Sequence, residues 1–566
     1  MVQPQTPRSE SLTRRGFIAS AGAGALAVGL AACAPAPTTP SPTPAAATKA
    51  AGALPTYIPF TSGPSPDYHS ADGRVVDGFE HYPNPTFKAW TREPPGSGGR
   101  VDVAIAAYYP PPAPFEQNPT WHEVNKGLNA DIQMNIIPAS DWRTKFSTIM
   151  AGGDLPDIIH VYFGIAWTPN TVPFIKAQAA DLTPYLAGDA IKDYPNLAAI
   201  PTYAWQNSNS VLDGKLYQWP IHRYLPGLAY FFRNTDIYDK EIGADYVPRD
   251  AADFRKVLEQ LNRPQENRWA IGNTGTSPGN LSIEGYAAMF GAPNIWGKDS
   301  SGKLVRSIET EQYKAAVGYV RDLWSAGLMW PDAPSGQPSR SNFAAGRFVL
   351  SVEGFGNSWN DFWRQGLQQS PANHFDVIKP FNATAGAQPV GYITGGWVAT
   401  TILKKASPDR IKELLRIVDW LASPFGSEED LLLSYGIEGQ DHVRDANGDP
   451  KLSPSGNQNA GYVPWRYISQ HPYVTYQADL PGYTKKSFDA EQMLVATGVA
   501  SVTNGYYAAS AYSSAASTAQ QTFGDGINDI LFSRRPMSDY DQLVKDWQNA
   551  SGNAQREEYM QAMAAG

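Results

Sequence analysis

The chain has 566 residues, 42% of them hydrophobic, and its 16 Trp, 29 Tyr and 22 Phe are ample for large cores. Such a length implies about two to four domains. The formal net charge is -9 and only 17% of residues are charged. An acidic chain lacks the basic surface that phosphates call for, so a nucleic-acid partner is excluded. Cys33 is the only cysteine, which excludes internal disulfides and multi-cysteine metal centres. The eight histidines form no His-Glu-x-x-His pattern, so neither a metal nor a cofactor is expected.

The N-terminus carries the first functional signal. Thr13-Arg14-Arg15-Gly16-Phe17-Ile18-Ala19 is a twin-arginine pattern, followed by an uncharged Ala/Gly-rich run to Ala32. Leu30-Ala31-Ala32-Cys33 resembles the lipobox of bacterial lipoproteins. The run is too short and too weakly apolar for a membrane span. Residues 1–32 are therefore expected to be a twin-arginine lipoprotein signal, with Cys33 the lipidated mature N-terminus. Residues 33–54 are Pro, Ala and Thr, a composition that makes an extended tether. Residues 55–98 read as an irregular, Pro- and Gly-rich lead-in.

Regular pattern begins at Arg100. Val101, Val103 and Ile105 alternate as a strand does, as do Ile132, Met134 and Ile136, with a helical stretch at 119–128 between them. Trp142, Phe146, Ile149 and Met150 share a helical face that Gly152-Gly153 ends, and residues 157–162 form a third strand. Strands alternating with helices imply a parallel sheet covered by helices. Further on, Tyr313, Ala316, Val317, Val320 and Trp324 make one apolar helix face. Ser407-Pro408 supplies an N-cap and an N1 proline for a helix buried through Ile411, Leu414, Leu415, Val418 and Leu421.

Several stretches then carry a resemblance. They are Ala151-Gly152-Gly153-Asp154-Leu155-Pro156-Asp157-Ile158, Asp181-Leu182-Thr183-Pro184-Tyr185-Leu186, Asp213-Gly214-Lys215-Leu216-Tyr217-Gln218-Trp219-Pro220 and Phe232-Arg233-Asn234-Thr235-Asp236. Phe343-Ala344-Ala345-Gly346-Arg347, Gly395-Gly396-Trp397-Val398 and Tyr435-Gly436-Ile437-Glu438-Gly439 follow in the same order. Together they resemble the extracellular solute-binding proteins of family 1, which include maltose-type sugar receptors, and most of all the larger LipO-like lipoproteins of that group. The resemblance implies an α/β, two-lobed periplasmic-binding-protein-like fold of type II, with mixed sheets flanked by helices and hinge strands between lobes. Residues 99–225 and 392–440 would form lobe 1, and residues 226–391 and 441–566 lobe 2, with crossings near 225, 391 and 440.

The function so implied is that of an extracytoplasmic, membrane-anchored receptor. It would capture a carbohydrate in the interlobe cleft and pass it to the permease subunits of an ABC importer, working as a monomer and without enzymatic activity. A surface carbohydrate-active enzyme and a non-transport lipoprotein on the same fold are the alternatives. A sugar offers apolar C–H faces and a rim of hydroxyls, so its receptor needs aromatic platforms and forked polar groups. At strand ends and crossings the candidates are Tyr108, Tyr162, Phe163, Trp219, Arg223, Glu353, Asn357, Trp359, Trp397, Glu438, Trp465 and Arg466. Tyr162 and Trp359 are expected to face each other across the cleft, with Trp397 near the hinge. The stretch 275–279 matches a G-x-S-x-G elbow in letters only. Pro278 lacks the N–H that an oxyanion hole needs.

Overall fold

Val101, Val103 and Ile105 point to one side of their strand and Ala104 and Ala106 to the other, and all five are buried. A strand apolar on both faces belongs in the middle of a covered sheet. A computed structural model of the chain describes residues 53–61, 63–162, 167–227, 230–273, 283–335, 340–369 and 374–565. Cys33 with the signal and tether, Phe163 and the 275–279 stretch lie outside the described residues, as does the side chain of Asn357.

Lobe 1 opens with β1 (Arg100–Ala107), α1 (Pro119–Leu128), β2 (Asp131–Pro138), α2 (Trp142–Ala151), β3 (Ile158–Tyr162) and β4 (Gln218–His222). The chain then enters lobe 2 through β5 (Tyr230–Asn234), β6 (Trp269–Asn273), α3 (Glu311–Ser325), β7 (Phe348–Glu353), α4 (Asn357–Gln369) and β8 (Phe375–Val377). It returns through β9 (Trp397–Leu403), α5 (Pro408–Leu421), α6 (Glu428–Tyr435) and the short α7 (Trp465–Ile468). It crosses once more to α8 (Tyr483–Ala496) and α9 (Ser514–Leu531). The lobe 1 sheet has the order β2-β1-β3-β9-β4 and the lobe 2 sheet β8-β5-β7-β6. In lobe 1, β2, β1 and β3 run parallel, whereas β9 lies antiparallel to both β3 and β4. The strand that leaves lobe 1 and the strand that re-enters it are thus neighbours, and this makes the hinge.

Two of the family-like stretches lock to each other. Thr183 Oγ1 accepts from Leu216 N at 2.9 Å, Leu182 N donates to Leu216 O at 2.7 Å, and Lys215 pairs with Asp181 at 3.0 Å. Asp157, nearly buried, accepts from Asp102 N at 3.2 Å, Arg410 at 2.9 Å and Lys404 at 3.1 Å. It ties β1, the foot of α5 and the end of β9 together, which gives that carboxylate a structural role. Ser407 caps α5 as its sequence demands, accepting from Arg410 N.

At the crossings, Arg223 N donates to Gly396 O, Thr394 N to Leu225 O and Gly227 N to Tyr392 O. Gly396 has φ +75°, and a Cβ there would run into the Tyr203 ring, so the hinge needs glycine at this point. The third crossing is not at 440. Val463, Trp465, Tyr467 and Ile468 pack into the lobe 1 core with Ile411 and Leu415, and lobe 2 resumes only at Leu480 and Tyr483. The stretch from 441 to about 470 therefore belongs to lobe 1, because its aromatic side chains find their apolar partners there. The lead-in is irregular in backbone but bound along its length. Gly78–Phe79 pairs with Thr475–Tyr476, Tyr82 N donates to Asp449 at 2.7 Å, and Ala89 N and Trp90 N donate to Glu429. A second contact between lobes brings the Tyr507 and Tyr512 rings to 5.7 and 5.3 Å from Trp167.

Candidate functional site

The parallel strands β1 and β3 end side by side, and each hands over to a tyrosine. Tyr108 follows β1 and Tyr162 closes β3, with ring centroids 5.3 Å apart. Tyr467, at the turn of α7, lies 5.3 Å from Tyr108. The Arg223 guanidinium then stands 5.8 Å from the Tyr467 ring and 5.2 Å from Tyr473. Tyr473 touches Tyr224 at 5.6 Å, and Tyr224 meets Phe355 of lobe 2 at 5.5 Å. The result is a continuous aromatic floor from the strand ends of lobe 1 to the edge of lobe 2. Tyr108 remains 39% exposed, so the floor is open to a ligand. Crevices beyond strand ends at a topological switch are where α/β folds bind ligands.

Two buried histidines hold this floor from behind. His160 donates from Nδ1 to Tyr467 O at 3.0 Å, and its ring stacks 6.3 Å from Tyr162. His222 accepts from Tyr473 N at Nδ1 (2.9 Å), so its Nε2–H donates to the Tyr203 hydroxyl at 2.7 Å. Burial pushes His160 down to about 4. Burial first, then the Arg223 charge, takes His222 down to about 3. Both rings are therefore neutral at pH 7, in the tautomers that their bonds require. Burial raises the Tyr467 hydroxyl to about 12 against the opposing charge of Arg223, so it is a neutral hydrogen-bonding group.

Beside the floor opens a cavity of about 690 Å³. Tyr109, Tyr435, Tyr462, Arg466, Gln470 and Tyr473 line it from lobe 1 and its continuation, and Arg364 of α4 closes it from lobe 2. Tyr109 and Tyr462 stack at 6.4 Å across its mouth. Arg223 donates to Gln470 Oε1 at 3.0 Å, which joins the floor to the cavity. A volume of this order, lined by flat rings with a few forked polar groups, suits a small polar ligand with apolar faces. Among the described residues no group of His, Cys, Asp and Glu is placed to hold a metal, and no helix is long and apolar enough to cross a membrane. Asp299 and Asp445 spend their carboxylates on local turns: Asp299 accepts from Ser301 N and Lys303 N, Asp445 from Asn447 N and Asp449 N.

Residues 112–426, more than half of the chain, match the family model for bacterial extracellular solute-binding proteins. The chain belongs to that family. Lipoprotein LipO of Bacillus subtilis is 24% identical to this solute-binding protein over 367 residues, which are 61% of this chain and 68% of LipO. The polygalacturonan/rhamnogalacturonan-binding protein YtcQ of the same organism is 24% identical over 326 residues, 56% of this chain and 62% of YtcQ. In fold, the solute-binding protein is similar to an HMO-binding, ABC-transporter-associated solute-binding protein from Bifidobacterium longum infantis. That likeness has a TM-score of 0.60 at 14% identity and covers 82% of this chain and 99% of the other. The fold is two-lobed, as the sequence motifs imply.

Of the residues expected at the site, Tyr108, Tyr162, Arg223 and Arg466 come together at the floor and cavity. Trp465 also lines the cavity, with its ring buried against Trp121, whereas two other tryptophans lie in the core. Trp359 is fully buried in lobe 2, donating to Phe375 O at 3.1 Å among Phe232, Phe355 and Tyr483, so its ring does not face Tyr162. Trp219 is fully buried and donates to Ile468 O at 3.1 Å. A large apolar indole finds its best contacts in the core. Trp397 stands at the hinge end of β9, half-buried, with Nε1 on Asn207 O at 2.9 Å. Glu353 ends β7 and faces Arg340 at 3.6 Å, while Glu438 is exposed, pairs with Arg444 at 3.3 Å, and is not among the residues lining the cavity. Tyr109, Tyr467, Tyr473, Gln470 and the two histidines were not singled out from sequence. Their signal was adjacency: Tyr109 follows Tyr108, and Tyr467 follows Arg466.

Proposed function

We propose that this protein captures a carbohydrate, an oligosaccharide in size, in the cleft between its lobes and delivers it to an ABC importer. The observation that carries this reading is the tyrosine floor of Tyr108, Tyr162, Tyr467 and Tyr473, interleaved with Arg223 and Gln470. Sugar rings stack their C–H faces on such platforms while amide and guanidinium forks take the hydroxyls. Closure of the lobes about Gly227 and Gly395-Gly396 would exclude water and strengthen those bonds. The polysaccharide-binding name of YtcQ supports the same ligand class. The protein binds its ligand without transforming it. Calorimetric titration of the intact protein against neutral and acidic oligosaccharides should give one-to-one binding with the saccharide recovered unchanged. Cleavage of the saccharide would replace the receptor by an enzyme.

The protein works outside the cytoplasm, held at the membrane by lipid on Cys33 after twin-arginine export. LipO, a lipoprotein by name, supports this placement. Two or more acyl chains on one residue give a stable anchor where a single chain does not. Cys33→Ala should move the protein from the membrane fraction to the soluble one or leave it unprocessed. Mass spectrometry that finds an unmodified Cys33 on the mature protein would refute the anchor.

A further inference from the structure

The chain carries a net charge of -9, yet the cleft holds two guanidinium groups with no carboxylate partner among the described residues. Arg466 is exposed within the cavity and makes no hydrogen bond or ion pair to any described residue. Among the described residues the Arg223 guanidinium bonds only to His222 O at 2.7 Å and Gln470 at 3.0 Å, both neutral. The two act on the same pair of rings, Tyr467 and Tyr473. The acids nearby are already engaged. Asp430 accepts from the Tyr82 hydroxyl and Gly426 N, with His471 at 3.4 Å. Asp449 accepts from Tyr82 N and the Tyr476 hydroxyl and faces His81, and Asp479 pairs with Arg364. Glu491, the remaining acid that acts on Tyr473, is fully buried.

The hydroxyls of a neutral sugar can accept from a guanidinium, but they leave its charge uncompensated once closure has stripped its water. A carboxylate changes that balance. Its two oxygens match the planar guanidinium fork, and such charge-assisted bonds are about twice as strong as neutral ones. We infer that the cleft takes a saccharide bearing a carboxylate, an oligosaccharide that contains uronic acid, with Arg466 meeting the carboxylate and Arg223 adding a second positive charge beside it. The tyrosine floor supplies stacking for the rings, and the two arginines select for the acid. This inference rests on the carbohydrate reading above and narrows it.

The test is calorimetric titration of the full-length protein with trigalacturonate, with the same trisaccharide whose carboxyls are reduced to alcohols, and with a sulfated trisaccharide. Wild-type protein should bind trigalacturonate at least about tenfold more tightly than the reduced form, with affinity that falls as salt rises. Arg466→Gln, an exposed change that should leave the melting point in place, should remove most of that preference. Arg466→Lys, which keeps charge but loses the fork, should fall between the two. Equal or tighter binding of the reduced trisaccharide, an unchanged preference in Arg466→Gln, or preference for the sulfated sugar would overturn the carboxylate while leaving a sugar receptor. Binding of none of the three would overturn the carbohydrate reading with it.

Discussion

Replacing Trp359 by alanine is expected to destabilise the protein by about 3–5 kcal/mol, the range for deleting a fully buried large aromatic side chain. The ring is 0% exposed and lies between Phe232, Phe355 and Tyr483 at 5.8, 5.4 and 5.7 Å. Its Nε1 shares the Phe375 carbonyl with Trp363, which donates at 2.9 Å, so that carbonyl stays satisfied in the variant and the loss is one of packing. Folded variant should keep its ligand affinity within a few-fold, because the indole is fully buried and meets the floor only from behind, through Phe355. Urea unfolding read by fluorescence checks the first statement and calorimetry the second. A loss of stability under about 1 kcal/mol with a large loss of affinity would return Trp359 to the cleft.

Acid should unfold or loosen this protein through two of its buried histidines, His160 and His222. In the unfolded chain a histidine takes up its proton near pH 6.5. Folded His160 resists until about pH 4 and folded His222 until about pH 3. Between those values the unfolded state binds more protons, so stability falls as pH falls. The contribution is fully present above about pH 6.5 and is lost as pH drops through the two folded values, by roughly 3 kcal/mol for His160 and more for His222. Geometry explains the resistance. His160 Nε2 has no acceptor among the described residues, so a proton there would be buried unpaired. On His222 the new proton would collide with the N–H of Tyr473. His222→Gln should therefore show a shallower drop in urea midpoint between pH 7 and pH 4.5 than wild type. Parallel drops in wild type, His160→Gln and His222→Gln would rule out the histidines as the cause.

How far the sequence could be read depended on regularity. The β1–α1–β2–α2–β3 start was readable because its apolar residues repeat at strand and helix periods. The crossings near 225 and 391 were legible only through the order of the family-like motifs, not through the period of the residues around them. The stretch 441–480 carries no period. Its burial comes from single anchors such as Trp465 and Ile468, whose partners on α5 are far away in sequence. The same reason explains the tryptophan errors at the site. A lone aromatic at a strand end reads alike whether it turns inward or outward, and the indole turned inward at Trp219 and Trp359. Tyr108, with a hydroxyl that prefers water or a partner, stayed at the open edge.

The most direct test of the tyrosine floor is calorimetric titration of wild type and Tyr108→Ala with whichever oligosaccharide the wild type binds best. Tyr108 is 39% exposed, so the variant should fold with an unchanged melting point while affinity falls about tenfold or more. Equal affinities in the two proteins, with both folded, would contradict the placement of the sugar on that floor.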